Sequence, residues 1–147
     1  MRRFIVIGLA AAGLAASIAT ASSAANRVPG FRTPTGNIRC LYVAGPPAMM
    51  LCTIDRSAYA KRLQARCMAP GGAGLDWHGF TLSGTKKGTI VCSGGILYNG
   101  TPSYVTLRYG KSFRRGAFTC TSRLAGVTCR SRSGHGIFVS RQAYRTW

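Results

Sequence analysis

Short apolar or alternating runs, each broken by glycine or another turn residue, set the rhythm of this chain. They fall at 38–43, 49–54, 79–82, 89–92, 103–109, 117–120, 127–130 and 137–140. Runs of this length between turn signals predict strands joined as hairpins, and therefore an all-β sandwich or barrel. One segment departs from the rhythm: 55–66 fits either a helix capped by Asp55 or Ser57, or an extended basic loop. Segment 70–74, rich in proline and glycine, reads as a flexible turn. Phe118, Phe138 and Tyr104 are expected to be core residues of their strands.

The amino end follows a different pattern. Arg2 and Arg3 precede an uncharged, alanine-rich stretch with Ile5, Val6, Ile7, Leu9, Leu14 and Ile18 as its apolar spine, closing in the small residues Ala21 to Ala25. That order matches a signal peptide over 1–25, followed by a single cysteine-rich β domain over 26–147. Its alternative, an uncleaved anchor, suffers from the dilution of the stretch by Ala, Ser, Thr and Gly. The expected location is secreted or periplasmic, with no transmembrane segment in the mature form.

Charge sharpens the picture. Twenty Lys and Arg face two acidic residues, a formal net charge of +18. Removal of Arg2 and Arg3 leaves 18 cations against Asp55 and Asp76, a formal +16. Such an excess pushes a compact state apart and favours polyanionic partners, and salt weakens both effects. Codon bias explains arginine over lysine but not the near loss of carboxylates.

Six cysteines, Cys40, Cys52, Cys67, Cys92, Cys120 and Cys129, all lie beyond the amino-terminal stretch. An even count in an exported chain predicts three disulfides, and the count alone allows fifteen pairings. Cys40 and Cys52 end or occupy two strand-like runs flanking the turn-rich Ala44-Gly45-Pro46-Pro47, and Cys120 and Cys129 flank Ser122 to Gly126 in the same manner. Two hairpins would close Cys40 with Cys52 and Cys120 with Cys129, leaving Cys67 for Cys92.

Three stretches carry a resemblance. They are Phe31-Arg32-Thr33-Pro34-Thr35-Gly36-Asn37-Ile38-Arg39-Cys40, Gly116-Ala117-Phe118-Thr119-Cys120-Thr121-Ser122 with Gly126-Val127-Thr128-Cys129, and Ser133-Gly134-His135-Gly136-Ile137-Phe138-Val139-Ser140-Arg141. Together they resemble a family of small exported bacterial proteins catalogued as a domain of unknown function. Asp76-Trp77 before Gly79 is similar to that family's central signature, with His78 interrupting the usual spacing. The resemblance implies export and a shared cysteine-bearing fold; it supplies no reaction and no catalytic residue.

Several chemistries lack their residues. Zinc sites need close Cys-x-x-Cys pairs, and none exists, so no metal and no cofactor is expected. Paired-carboxylate hydrolysis has only Asp55 and Asp76 to draw on. No Gly-x-Ser-x-Gly elbow supports a serine triad. His78 and His135 permit a ribonuclease-like phosphodiesterase, one imidazole taking a proton and the other giving it beside Lys86, Lys87 or Arg141. An inhibitor or assembly factor for another exported protein is a further alternative.

The leading expectation is a non-enzymatic module that binds a polyanion: an envelope polymer, a lipid surface or extracellular nucleic acid. Its candidate residues are Arg108, Lys111, Arg114, Arg115, Arg123, Arg130, Arg132 and Arg141. Aromatic residues interleave with these and with Arg145, namely Tyr98, Tyr104, Tyr109, Phe113, Phe118, Phe138, Tyr144 and Trp147. Surfaces of this kind stack rings while neutralising phosphates.

Overall fold

A computed structural model describes residues 26–70 and 74–147. The expected signal peptide, and 71–73 of the expected flexible turn, lie outside the described residues. The elements run β1 (Arg27–Arg32), β2 (Ile38–Val43), β3 (Met49–Ile54), α1 (Ala60–Met68), β4 (Asp76–Ser83), β5 (Thr89–Ser93) and β6 (Thr101–Thr106). They continue through β7 (Ser112–Arg115), β8 (Phe118–Arg123), β9 (Gly126–Ser131), β10 (Gly136–Val139) and β11 (Tyr144–Thr146).

The first half forms a six-stranded sheet in the order β5-β4-β3-β2-β1-β6, the second a five-stranded sheet in the order β11-β10-β9-β8-β7. Neither closes into a barrel, so the architecture is the sandwich. Neighbours pair antiparallel except β1 with β6, because the chain leaves β5 at one edge and returns to the other. In β8, Phe118, Cys120 and Ser122 are buried while Thr119 and Thr121 are partly exposed, the alternation expected of a sheet wetted on one face. Phe31, Met50, Phe80 and Leu82 of the larger sheet share one core with Phe118, Val127, Ile137 and Val139 of the smaller. The Phe31 and Phe113 rings lie 5.2 Å apart, and those of Phe80 and Tyr144 5.0 Å.

The three disulfides are Cys40–Cys52, Cys67–Cys92 and Cys120–Cys129. Both hairpin bonds join residues directly opposite in the ladder, so register alone brings their sulfurs together. Cys52 Sγ lies 3.9 Å from Cys129 Sγ, which places the two bonds against each other in the buried centre of the sandwich.

His78, between Trp77 and Gly79, has a structural role. The β4–β5 register shifts between Trp77 and Gly79, making His78 the extra residue of a bulge. Three residues apart in a regular strand, Trp77 and Phe80 would face opposite sides. The bulge instead turns both rings toward Tyr59, at 6.0 and 6.2 Å. Gly79 takes φ +117°, and a Cβ there would overlap the Cys52 carbonyl oxygen.

The helical reading of 55–66 holds in a shifted form. Neither Asp55 nor Ser57 caps α1; its N-cap is Tyr59, with no side-chain cap bond. Leu63 and Cys67, one turn apart, are its buried face, and the bond to Cys92 ties it to β5. Gln64 accepts the Trp77 N–H at 3.0 Å and donates to Asp76 Oδ1 at 2.9 Å, docking the helix on β4.

Tyr59 donates its hydroxyl proton to the Ser140 carbonyl at 2.8 Å, bridging α1 to the smaller sheet. Burial pushes its phenol from 10.0 up to about 12. A pKa raised in the folded state means the neutral phenol stabilises the fold fully below pH 10.0 and progressively less as pH approaches about 12. Tyr59→Phe is therefore expected to flatten the alkaline fall in stability across that window, measured by denaturant midpoint against pH; an unchanged fall would assign it to other groups.

Candidate anion-binding surface

The wetted face of the five-stranded sheet is built by register. Because Cys120, Val127, Cys129, Ile137 and Val139 point into the core, their strand neighbours point out. One outer row runs Arg145, Phe138, Thr128, Thr121, Ser112; the next runs Gly136, Arg130, Thr119, Arg114. Phe138 is thus a correction: it stands on the outer face, half-buried, with the Arg145 guanidinium 5.4 Å from its ring. Phe118 is buried in the core, and Tyr104 is partly buried on the edge strand β6.

Trp147 extends the second row. Its backbone exchanges two bonds with Gly136, at 2.9 and 3.1 Å, and its indole N–H donates to the Gly134 carbonyl at 3.0 Å. The ring occupies the space a Cβ on Gly136 would need. The Arg130 guanidinium covers the indole at 5.2 Å. The Gly-His-Gly segment therefore seats a tryptophan: Gly134, at φ +87°, makes the turn and accepts the indole, and Gly136 leaves room for it.

Alongside lies a groove of about 720 Å³ at the β11 edge, lined by Arg62 of α1 with Arg130, Tyr144, Arg145 and Trp147. No Asp or Glu side chain lines it to neutralise these cations. Asp55 pairs with Arg39, the only ion pair among the described residues, and Asp76 accepts from Gln64.

The eight candidate cations do not gather at one place. Arg114 and Arg130 share the outer face, and Arg115 ends β7 on the alternate side. Arg108 and Lys111 occupy the turn before β7, and Arg132 the turn after β9. Arg123 and Arg141 line a separate cleft. Arg62 and Arg145 belong to the groove although neither was among the eight. The signal for Arg62 was the Leu63–Cys67 spacing, which fixes the buried side of the helix and leaves Arg62 exposed.

The histidines sit on different sheets. His78 Nε2 meets the Ser93 carbonyl at 2.7 Å within the larger sheet, and His135 lies in the β9–β10 turn of the smaller. Neither lines the groove or the second cleft. The sulfurs of Cys40, Cys52 and Cys129 lie within 4.8 Å of one another, but each is spent in a disulfide and offers no thiolate.

A family model described as "Family of unknown function (DUF6636)" matches residues 9–146. The chain belongs to this family. The match takes in all eleven strands, the helix and the six cysteines, so the DUF6636 region contains the whole sandwich. No curated protein and no solved structure matches the chain. The three disulfides of this DUF6636 protein fit an oxidising, extracytoplasmic compartment. Among its described residues no helix is long and apolar enough to cross a membrane.

Proposed function

We propose that this protein is exported to the periplasm or beyond by its amino-terminal signal peptide and acts there as a non-enzymatic binding module for a polyanion. The observation that carries the reading is the groove beside β11, where three guanidiniums, Arg62, Arg130 and Arg145, meet Trp147 with no Asp or Glu side chain among the lining residues. Its natural ligand is an anionic polymer with ring units, such as a single-stranded nucleic acid or an acidic polysaccharide. Cations neutralise its charges, and the indole with its covering guanidinium offers a platform for a ring. Arg114, in the same outer row as Arg130, extends the positive track across the sheet.

The test is the salt dependence of binding to a single-stranded oligonucleotide. Each neutralised phosphate contributes a slope of about 0.7 in log K against log salt. Arg62→Ala with Arg130→Ala and Arg145→Ala should therefore lower the slope by about two. An equal loss of charge elsewhere, Arg27→Ala with Arg66→Ala and Lys86→Ala, should leave most of it. Matching slopes for the two triple variants would overturn the groove assignment.

A further inference from the structure

A second cleft, of about 370 Å³, opens at one end of the sandwich where several connections meet. Arg56 enters it from the β3–α1 connection, Arg123 from the end of β8, and Arg141 from the β10–β11 connection. All three arginines are exposed, and no carboxylate lines the cleft. Asp55, though adjacent in sequence to Arg56, is occupied by Arg39.

The connections are cross-tied. Asn37 Oδ1 accepts the Arg56 N–H at 3.0 Å and its Nδ2 donates to the Arg56 carbonyl at 3.1 Å. The Arg141 carbonyl accepts from Ala58 N–H at 2.8 Å, and Gly110 N–H donates to the Ser122 carbonyl at 2.7 Å. The backbone that carries the three arginines is thus fixed before any anion arrives.

At the rim stands the β8–β9 turn. Arg123 pairs with Gly126, leaving Leu124-Ala125 as a two-residue hairpin loop. Loops of that length favour Asn-Gly or Gly-x. Here the tip instead carries a leucine that is 86% exposed, and Tyr109, 37% exposed, lines the same cleft. A leucine placed against turn preference, beside an aromatic and unpaired arginines, has the makeup of an interfacial anchor: an apolar tip for the acyl boundary, an amphipathic ring at the headgroup level, and cations for phosphates.

We infer that this end of the sandwich docks on an anionic lipid surface, Arg56, Arg123 and Arg141 taking headgroup phosphates while Leu124 enters the acyl boundary. The two clefts share Gln142 in their linings, but the arginines and Leu124 invoked here are none of the cations or rings invoked at the groove, so the inference stands or falls apart from the polymer reading.

The test is flotation of the full folded protein with vesicles of equal parts phosphatidylglycerol and phosphatidylcholine. The parent should float with these and not with phosphatidylcholine alone. Leu124→Ser should weaken partition about tenfold, in line with the loss of one buried leucine. Arg56→Ala with Arg123→Ala and Arg141→Ala should reduce it to the phosphatidylcholine background. Both variants should keep the oligonucleotide affinity of the parent, and the groove triple variant should float normally. A parent that fails to float, or a Leu124→Ser protein that floats as the parent does, overturns the inference. Release from vesicles by soluble glycerophosphate, independent of Leu124, would also overturn it by identifying a small-anion site.

Discussion

Reduction of all three disulfides is expected to abolish the cooperative fold at neutral pH and low salt. The closed loops separate their cysteines by 12, 25 and 9 residues. Loop-closure entropy assigns such loops about 3 kcal/mol each, roughly 9 kcal/mol together. Typical total stabilities are only about 5–15 kcal/mol, and this chain also carries a large self-repulsion from its 20 cations against two acids. The Cys67–Cys92 bond should matter most, since it closes the longest loop and is the covalent tie between α1 and the larger sheet. Because Cys40, Cys52, Cys120 and Cys129 are fully buried, the comparison requires reduction in denaturant followed by refolding with reductant present. Far-UV circular dichroism should then show no cooperative melt at low salt, with partial recovery as sodium chloride screens the charge. Superimposable melts of the oxidised and reduced proteins would refute the argument.

The same register that makes two of these bonds made them legible. Cys40 and Cys52 lie in runs whose apolar spacing and intervening turn mark a hairpin, and the observed β2 and β3 begin and end where those runs do. Strands without that patterning stayed hidden. β7 directs only Phe113 toward the core, and β11 is a three-residue edge strand with Tyr144 as its one aromatic, so neither offers a repeat of period two to read. β1 contains Pro29 and Gly30, which signal a turn. It is nonetheless an inner strand. The Asn26 and Arg32 carbonyls both accept from the β6 side, so Pro29 faces β2, whose register stops at Gly30 and requires no N–H from it.

The surplus of unpaired arginines was legible in the sequence, but not where they stand. The number of cations against two carboxylates requires exposed, unpaired arginines, and the structure has them. Which ones converge depends on pairings between strands distant in sequence. Arg114, Arg130 and Gly136 become neighbours only through the β7-β8-β9-β10 ladder, and Arg62 reaches the groove only because α1 packs beside the smaller sheet's edge. Residue type alone places Phe138 in the core. Its register with Thr128 and Arg145 puts it on the other face, where a guanidinium rather than apolar neighbours covers the ring.

Gly136→Ala should separate stacking from charge at the groove. A methyl group there would overlap the Trp147 indole and crowd the Cys129 carbonyl oxygen, 2.8 Å away. The indole is the movable partner, so it should swing off the sheet, losing its bond to Gly134 and its contact with Arg130. Overpacking of this kind costs about 1–3 kcal/mol, leaving the disulfide-bonded core folded, with tryptophan emission shifted to longer wavelength. Every arginine remains, so the salt slope for a single-stranded oligonucleotide should match the parent's. Affinity at fixed salt should fall by one stacked ring, about 1–3 kcal/mol or roughly 5-fold to 150-fold. Trp147→Phe should lie between the two, because it keeps a ring over Gly136 but has no N–H to donate. Parent-like affinity in Gly136→Ala, with the emission shift confirming that the indole has moved, would show that the arginines hold the ligand without the ring.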